Sequence, residues 1–160
     1  MNKPSNLDVA EIFLRIGDML DFLDENTFKV RAYWHAAEVL RYLDEPLADI
    51  AARGELNRLR GVGEEIEGMV AEILETASCN IYEELKSEVP EGTREILRSF
   101  GLPPRLVRIA LCNLTADTPD TLATAIVNSD LSTIGSLNQG EQAELLRAAL
   151  AQQVRCDSAA

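Results

Sequence analysis

Gly61-Val62-Gly63 stands directly ahead of an amphipathic run in the stretch LRGVGEEIEGMVAEIL, residues 59–74. Two glycines, two positions apart at the opening of a helix, permit positive φ and leave the backbone uncovered. The amides of the first helical turn then point outward, with the positive end of the helix dipole behind them. The chemistry on offer is binding rather than catalysis, because a phosphodiester can sit on such amides without any base being read. The residues that follow run against this reading: Glu64, Glu65 and Glu67 stand where lysines would strengthen an anion site.

Other reactive side chains form no constellation. Cys79, Cys112 and Cys156 are dispersed and show no CxxC or Cys/His spacing. Zinc takes about four converging ligands, so the cysteines read as reduced structural thiols and no metal site is expected. His35, the single histidine, has no Ser, Cys or Asp partner at motif spacing and reads as a surface or half-buried side chain.

The elements that must position the hairpin are helices. Val9, Ile12, Phe13, Ile16, Leu20 and Leu23 recur at helical spacing after a start near Ser5-Asn6. A second helix covers FKVRAYWHAAEVLRYL, and Pro46 opens a short one that Gly54 ends. IYEELKSEV, TREILRSF and RLVRIALCNL are further helices, with the turn GLPP between the last two. Thr118-Pro119 opens another, and a final helix over residues 139–154 precedes a polar tail. No stretch alternates with a period of two, so the fold is expected to be all-α. One plan recurs three times: an apolar residue, a turn of small-apolar-small form, then an amphipathic helix. The third residue of the turn is Gly63, then Pro103, then Asn138, and the third copy lies around Gly135–Gly140.

The 160 residues are 46% hydrophobic but only 5% aromatic, enough for one domain or two small ones with aliphatic cores. The apolar runs are too short to span a bilayer, and no basic-then-apolar leader opens MNKPSNLDVAEIF, so the expected location is cytoplasmic. A net charge of −12 and a pI near 4.5 oppose tight nonspecific binding to nucleic acid, which depends on Lys and Arg displacing counterions. Lys3, Lys29 and Lys86 are the only lysines.

The order and spacing of FKVRAYWHAAEVLRYL, IAARGELNRLRGVGEEIEGMVAEILET and YEELKSEVPEGTREILRSFGLPPRLVRIAL resemble the N-terminal helical region of bacterial family X DNA polymerases, relatives of DNA polymerase beta. The resemblance covers nearly the whole chain. It implies a gap-binding helical domain with the first helix-hairpin-helix over residues 1–90, a second and a degenerate third hairpin over 91–155, and a tail at 156–160. The polymerase palm with its magnesium-binding aspartates has no counterpart here. Where lyase-competent relatives carry the Schiff-base lysine this chain has Met69, and where many carry another basic residue it has Glu65. An imine needs an amine that can deprotonate, so no catalytic residue is expected. Lys29 is the least implausible relocated one.

Charge separates along the chain from the first hairpin onward. Residues 64–91 hold nine Glu and one Lys, whereas residues 92–113 hold Arg94, Arg98, Arg105 and Arg108 against Glu95 alone. Arg94 and Arg98 share one helical face, and Arg105 and Arg108 share another beside the second turn, Gly101-Leu102. This is either a phosphate-gripping patch or a solvated face paired with the Glu-rich helix. Lys29 and Arg31 precede Tyr33, Trp34 and His35 on a face that lies near a DNA end in the resembled family. Tyr33 reads as core; Trp34 and His35 replace positions commonly basic there.

The expected function is a non-catalytic helix-hairpin-helix module connected with DNA repair, contacting backbone phosphates weakly and without sequence specificity. Its contacts would be Gly61, Val62, Gly63, Gly101, Leu102, Lys29, Arg31 and the four arginines, mainly around the second hairpin. Its partner would be gapped, nicked or single-stranded DNA, with no membrane and no cofactor beyond a monovalent cation at a hairpin turn. The rival expectation is an acidic protein-interaction module on the same fold, with a partner such as a repair enzyme.

Overall fold

Residues 2–159 are described by a computed structural model, and every regular element among them is helical. The chain divides into two compact units, Met1–Glu88 and Val89–Ala160.

In the first unit, helix α1 (Asn6–Phe22) starts where a reciprocal cap forms. The Ser5 hydroxyl accepts the Asp8 amide at 3.2 Å, and the Asp8 carboxylate accepts the Ser5 amide at 2.8 Å. Asn6 ties this start to the next connection, its Oδ1 accepting the Leu47 amide at 2.7 Å and its Nδ2 donating to the Glu45 carbonyl at 2.9 Å. Helix α2 (Thr27–Arg41) is capped by Asn26 and packs along α1. The Phe13 and Tyr33 rings stack with centroids 6.1 Å apart, and Gly17 on α1 leaves the space that the Trp34 indole fills. Helix α3 (Leu47–Ala52) follows Pro46 and gives way at Gly54, whose φ of +68° suits glycine. A 3-10 turn (Leu56–Arg58), the first hairpin, α4 (Glu64–Thr76) and α5 (Asn80–Glu88) complete the unit.

Two features here carry predictions. Helix α4 ends on Ala77 in the left-handed conformation, φ +64°, where glycine avoids the Cβ clash. Ala77→Gly should therefore raise stability by about 1 kcal/mol, and an unchanged urea midpoint would contradict that strain. The second feature is Asp18, which accepts the Trp34 indole N–H at 3.0 Å. Burial raises its carboxyl to about 6, and the indole hydrogen bond opposes this only in part. The folded state thus holds the proton more tightly than the unfolded chain, so stability falls as pH rises from about 4 through about 6. Asp18→Asn should gain on the order of 1 kcal/mol at pH 8 and nothing at pH 4. Equal gains at both pH values in thermal melts would refute this origin.

In the second unit α6 (Glu91–Ser99), α7 (Pro104–Asn113) and α8 (Pro119–Val127) precede a 3-10 turn (Leu131–Thr133) and α9 (Gln139–Ala159). Thr118 and Thr121 form a capping box at the start of α8. Helices α8 and α9 pair, burying Leu122, Ala123, Ile126, Leu145 and Ala149. The polar tail expected after residue 155 is a correction: α9 continues to Ala159. Side chains hold this extension, Arg155 donating to the Ser99 carbonyl at 2.9 Å and the Cys156 thiol to Asp120 at 2.7 Å. Among the described residues no helix is long and apolar enough to cross a membrane.

Candidate nucleic-acid interface

The first and third hairpins share a backbone hydrogen-bond plan. In the first, Leu59 N–H reaches the Leu56 carbonyl and Val62 N–H the Leu59 carbonyl, both at 3.1 Å. The third repeats this, with Ile134 to Leu131 at 3.1 Å and Leu137 to Ile134 at 3.0 Å. The middle residue of each turn, Val62, Leu102 or Leu137, is buried and anchors the turn to its core. Gly61 and Gly101 occupy matching places and both have positive φ, +83° and +63°. The equivalent residue in the third turn is Ser136 rather than Gly135, and it stays out of the positive-φ region.

Gly63 departs from the sequence expectation. Its φ is −84°, ordinary extended backbone, and a Cβ there would meet nothing within 4 Å. Only Gly61 carries the conformational requirement. A Cβ at Gly61 would also lie 2.5 Å from the His35 ring, which is exposed on α2 and lies against the turn.

What differs between the hairpins is the state of the amides at the helix start. At α4 the cap is Gly63, so no side chain closes the first-turn amides. At α7, Pro103 and Pro104 replace the first two residues and supply no N–H at all. At α9 the amides are used internally: Asn138 Oδ1 accepts the Glu141 N–H at 2.9 Å, and the Glu141 carboxylate accepts the Asn138 N–H at 2.9 Å. The first hairpin keeps the Gly63 and Glu64 N–H groups that proline removes from the second, with no side-chain cap over them. Its glutamates have structural work there. Glu64, Glu65 and Glu67 lie in the first turn of α4, where a carboxylate favours the helix dipole in the absence of a capping side chain. Glu65 also accepts the Tyr33 hydroxyl at 3.3 Å. Burial, then the nearby Glu65 charge, push the Tyr33 phenol up to about 12. Met69 lies buried beneath the same hydroxyl, its sulfur 3.8 Å away.

The arginine patch of the second unit is largely engaged. Arg105 pairs with Glu141 at 2.6 Å, a partner outside the Glu-rich stretch. Arg94 is half-buried and donates to the Val89 carbonyl at 3.1 Å, and Arg108 is half-buried and likewise engaged. Arg98 is exposed.

The first unit presents a surface that the sequence reading did not assemble. Phe28, Arg31 and His35 recur at helical spacing on α2, all exposed, and the row ends against Gly61. Phe28 is 82% exposed, unusual for an aromatic side chain. Arg58 and Arg60, on the entering limb of the hairpin, are also exposed. Arg58 pairs with Glu55 at 2.8 Å, whereas Arg60 makes no ion pair among the described residues. Lys29 is exposed near the start of α2.

Residues 4–79 match the helix-hairpin-helix domain family. Over this span the first unit is similar to that family. Its matched span takes in α1 through α4 and includes Gly61-Val62-Gly63. The chain is also similar to the DNA polymerase/3'-5' exonuclease PolX of Bacillus subtilis strain 168, 22% identical over 141 residues. That alignment covers 88% of this chain but 24% of the polymerase, so the chain spans about a quarter of the relative's length. Both similarities are consistent with a polymerase-like N-terminal helix-hairpin-helix region. Among the described residues no group of three or more His, Cys, Asp and Glu is placed to hold a metal ion.

Proposed function

We propose that the helix-hairpin-helix domain binds the phosphate backbone of DNA, weakly and without reading sequence, as a non-catalytic module in a repair setting. The observation that carries this reading is the uncapped start of α4 at Gly63, flanked by exposed Arg60 and by the Phe28–Arg31–His35 row. Backbone amides with a helix dipole behind them suit a phosphate, and an exposed aromatic suits an unpaired base. The preferred ligand is therefore gapped, nicked or single-stranded DNA rather than intact duplex. The relative's printed activities, polymerase and exonuclease, concern DNA and agree with this. A net charge of −12 sets the affinity nearer micromolar than nanomolar.

The test is a fluorescence anisotropy titration of gapped DNA at several salt concentrations. Each phosphate contact releases about one counterion, so Arg31→Ala with Arg60→Ala should lower the logarithmic salt slope by about two. Arg105→Ala, which removes a side chain already paired with Glu141, should leave it unchanged. Absence of wild-type binding at low salt would overturn the proposal. Abasic-site lyase activity has no amine at Met69, so borohydride trapping should give no covalent adduct. A trapped adduct that Lys29→Ala abolishes would show a relocated lyase lysine instead.

A further inference from the structure

Helix α9 carries two apolar stripes. Leu145 and Ala149 are fully buried in the pairing with α8, which is all that a surface helix needs. Leu146, Leu150 and Val154, each four residues from the next, form a second stripe that remains 41%, 47% and 64% exposed. These three residues mark out about 12 Å of helix. At its upper end the stripe runs into a groove of about 360 Å³ between the end of α8 and the start of α9, walled by Ile126, Val127, Leu131, Ala143 and Leu146 with Asp130 beside them. Isolated exposed apolar residues need no explanation, but a continuous stripe that opens into a groove marks a contact surface.

Charge decides between occupants. From residue 117 to residue 157 there are six carboxylates against two arginines. Glu141 is offset by Arg105, which leaves five carboxylates against Arg147 and Arg155. The bonds of Arg155 to the neutral Ser99 carbonyl and Gln152 side chain do not remove its charge. A second copy would bring one acidic rim against another, in a chain already at −12. A helix with an apolar face and flanking lysines or arginines meets complementary charge instead. We propose that the stripe and groove of α8 and α9 dock a basic amphipathic helix of a partner protein, laid helix against helix. The second unit would then recruit a protein while the first holds DNA, and neither surface depends on the other.

The probe is a fluorescein-labelled 16-residue Leu/Lys peptide with leucines at i, i+3, i+4 and i+7 spacing, titrated with the full chain in anisotropy. Two controls are the same composition in scrambled order and a Leu/Glu version of the ordered peptide. The ordered Leu/Lys peptide should bind with Kd on the order of tens of micromolar, and both controls at least about tenfold more weakly. Leu146→Glu with Leu150→Glu should weaken the ordered peptide by about tenfold or more and leave the melting temperature unchanged, since both sites are exposed. Equal binding of the scrambled peptide would reduce the effect to charge and overturn the proposal. So would binding that the double variant leaves intact, or a wild-type dimer in sedimentation that the double variant dissociates.

Discussion

Gly92→Ala should destabilise the C-terminal unit by about 3 kcal/mol, the upper end for forcing atoms into a packed site. A Cβ built at Gly92 falls inside the Asp117 carbonyl oxygen, a backbone atom that cannot turn aside as a side-chain tip can. The start of α6 and the loop before α8 cross at this point, so relief would require moving one of them. For a unit of this size the loss should lower its melting transition by more than about 10 °C, read by circular dichroism at 222 nm. Gly68→Ala is the matched control: it lies within α4 and its Cβ would meet nothing within 4 Å. That change should be neutral or stabilising by up to about 1 kcal/mol. Equal melting of the Gly92 variant and wild type would show that the two segments do not cross as described.

Gly61→Val is the second large effect, and it separates conformational strain from crowding. A β-branched residue at φ +83° is strained wherever it stands, and here its Cβ also meets the His35 ring. The combined cost should be about 3 kcal/mol. Removing the ring with His35→Ala should return the crowding part and leave the backbone part, so the double variant should lie between wild type and Gly61→Val. Gly63→Val, at φ −84° in open space, exchanges a tolerated N-cap for a poor one and should cost about 1 kcal/mol, well short of Gly61→Val. Equal losses at the two glycines would contradict the distinction between them.

That distinction was only half legible in the sequence. Both glycines of GVG fit the hairpin pattern, but which one takes positive φ depends on the tertiary path of the chain. Caps were legible because they are local: Ser5 with Asp8 and Thr118 with Thr121 start their helices where the residue types indicate. The buried places of Val62 and Leu102 were not read: the sequence expectation set both among the DNA contacts, whereas their side chains, like that of Leu137, are buried. The destination of Arg105 did not, since Glu141 lies 36 residues away and the acidic stretch 64–91 offered a nearer partner in sequence. Arg58 and Arg60 could have been found: LNRLRGVG places both before the turn, but charge tallied from Glu64 onward leaves them out. The row from Phe28 through His35 was visible as a spacing. Its end at Gly61 was not, because that contact joins α2 to a turn in a separate element. The helical end of α9 was hidden by the polar composition of CDSA, which long-range bonds from Arg155 and Cys156 offset.

The central claim is that open amides at the start of α4, rather than side-chain charge alone, hold a phosphate. Gly63→Pro with Glu64→Pro tests it by giving the first hairpin the Pro-Pro start of the second. Proline suits the φ of −84° at Gly63 and the first helical position at Glu64, so the fold and melting temperature should be kept. Two amide donors disappear while one negative charge is also removed, so the amide and charge accounts predict opposite signs. The measurement is the affinity of this variant for gapped DNA at low salt, relative to wild type. Affinity should fall by about tenfold or more, the loss of one or two charge-assisted hydrogen bonds. Affinity that is unchanged or raised, in a variant that still melts like wild type, would contradict the account.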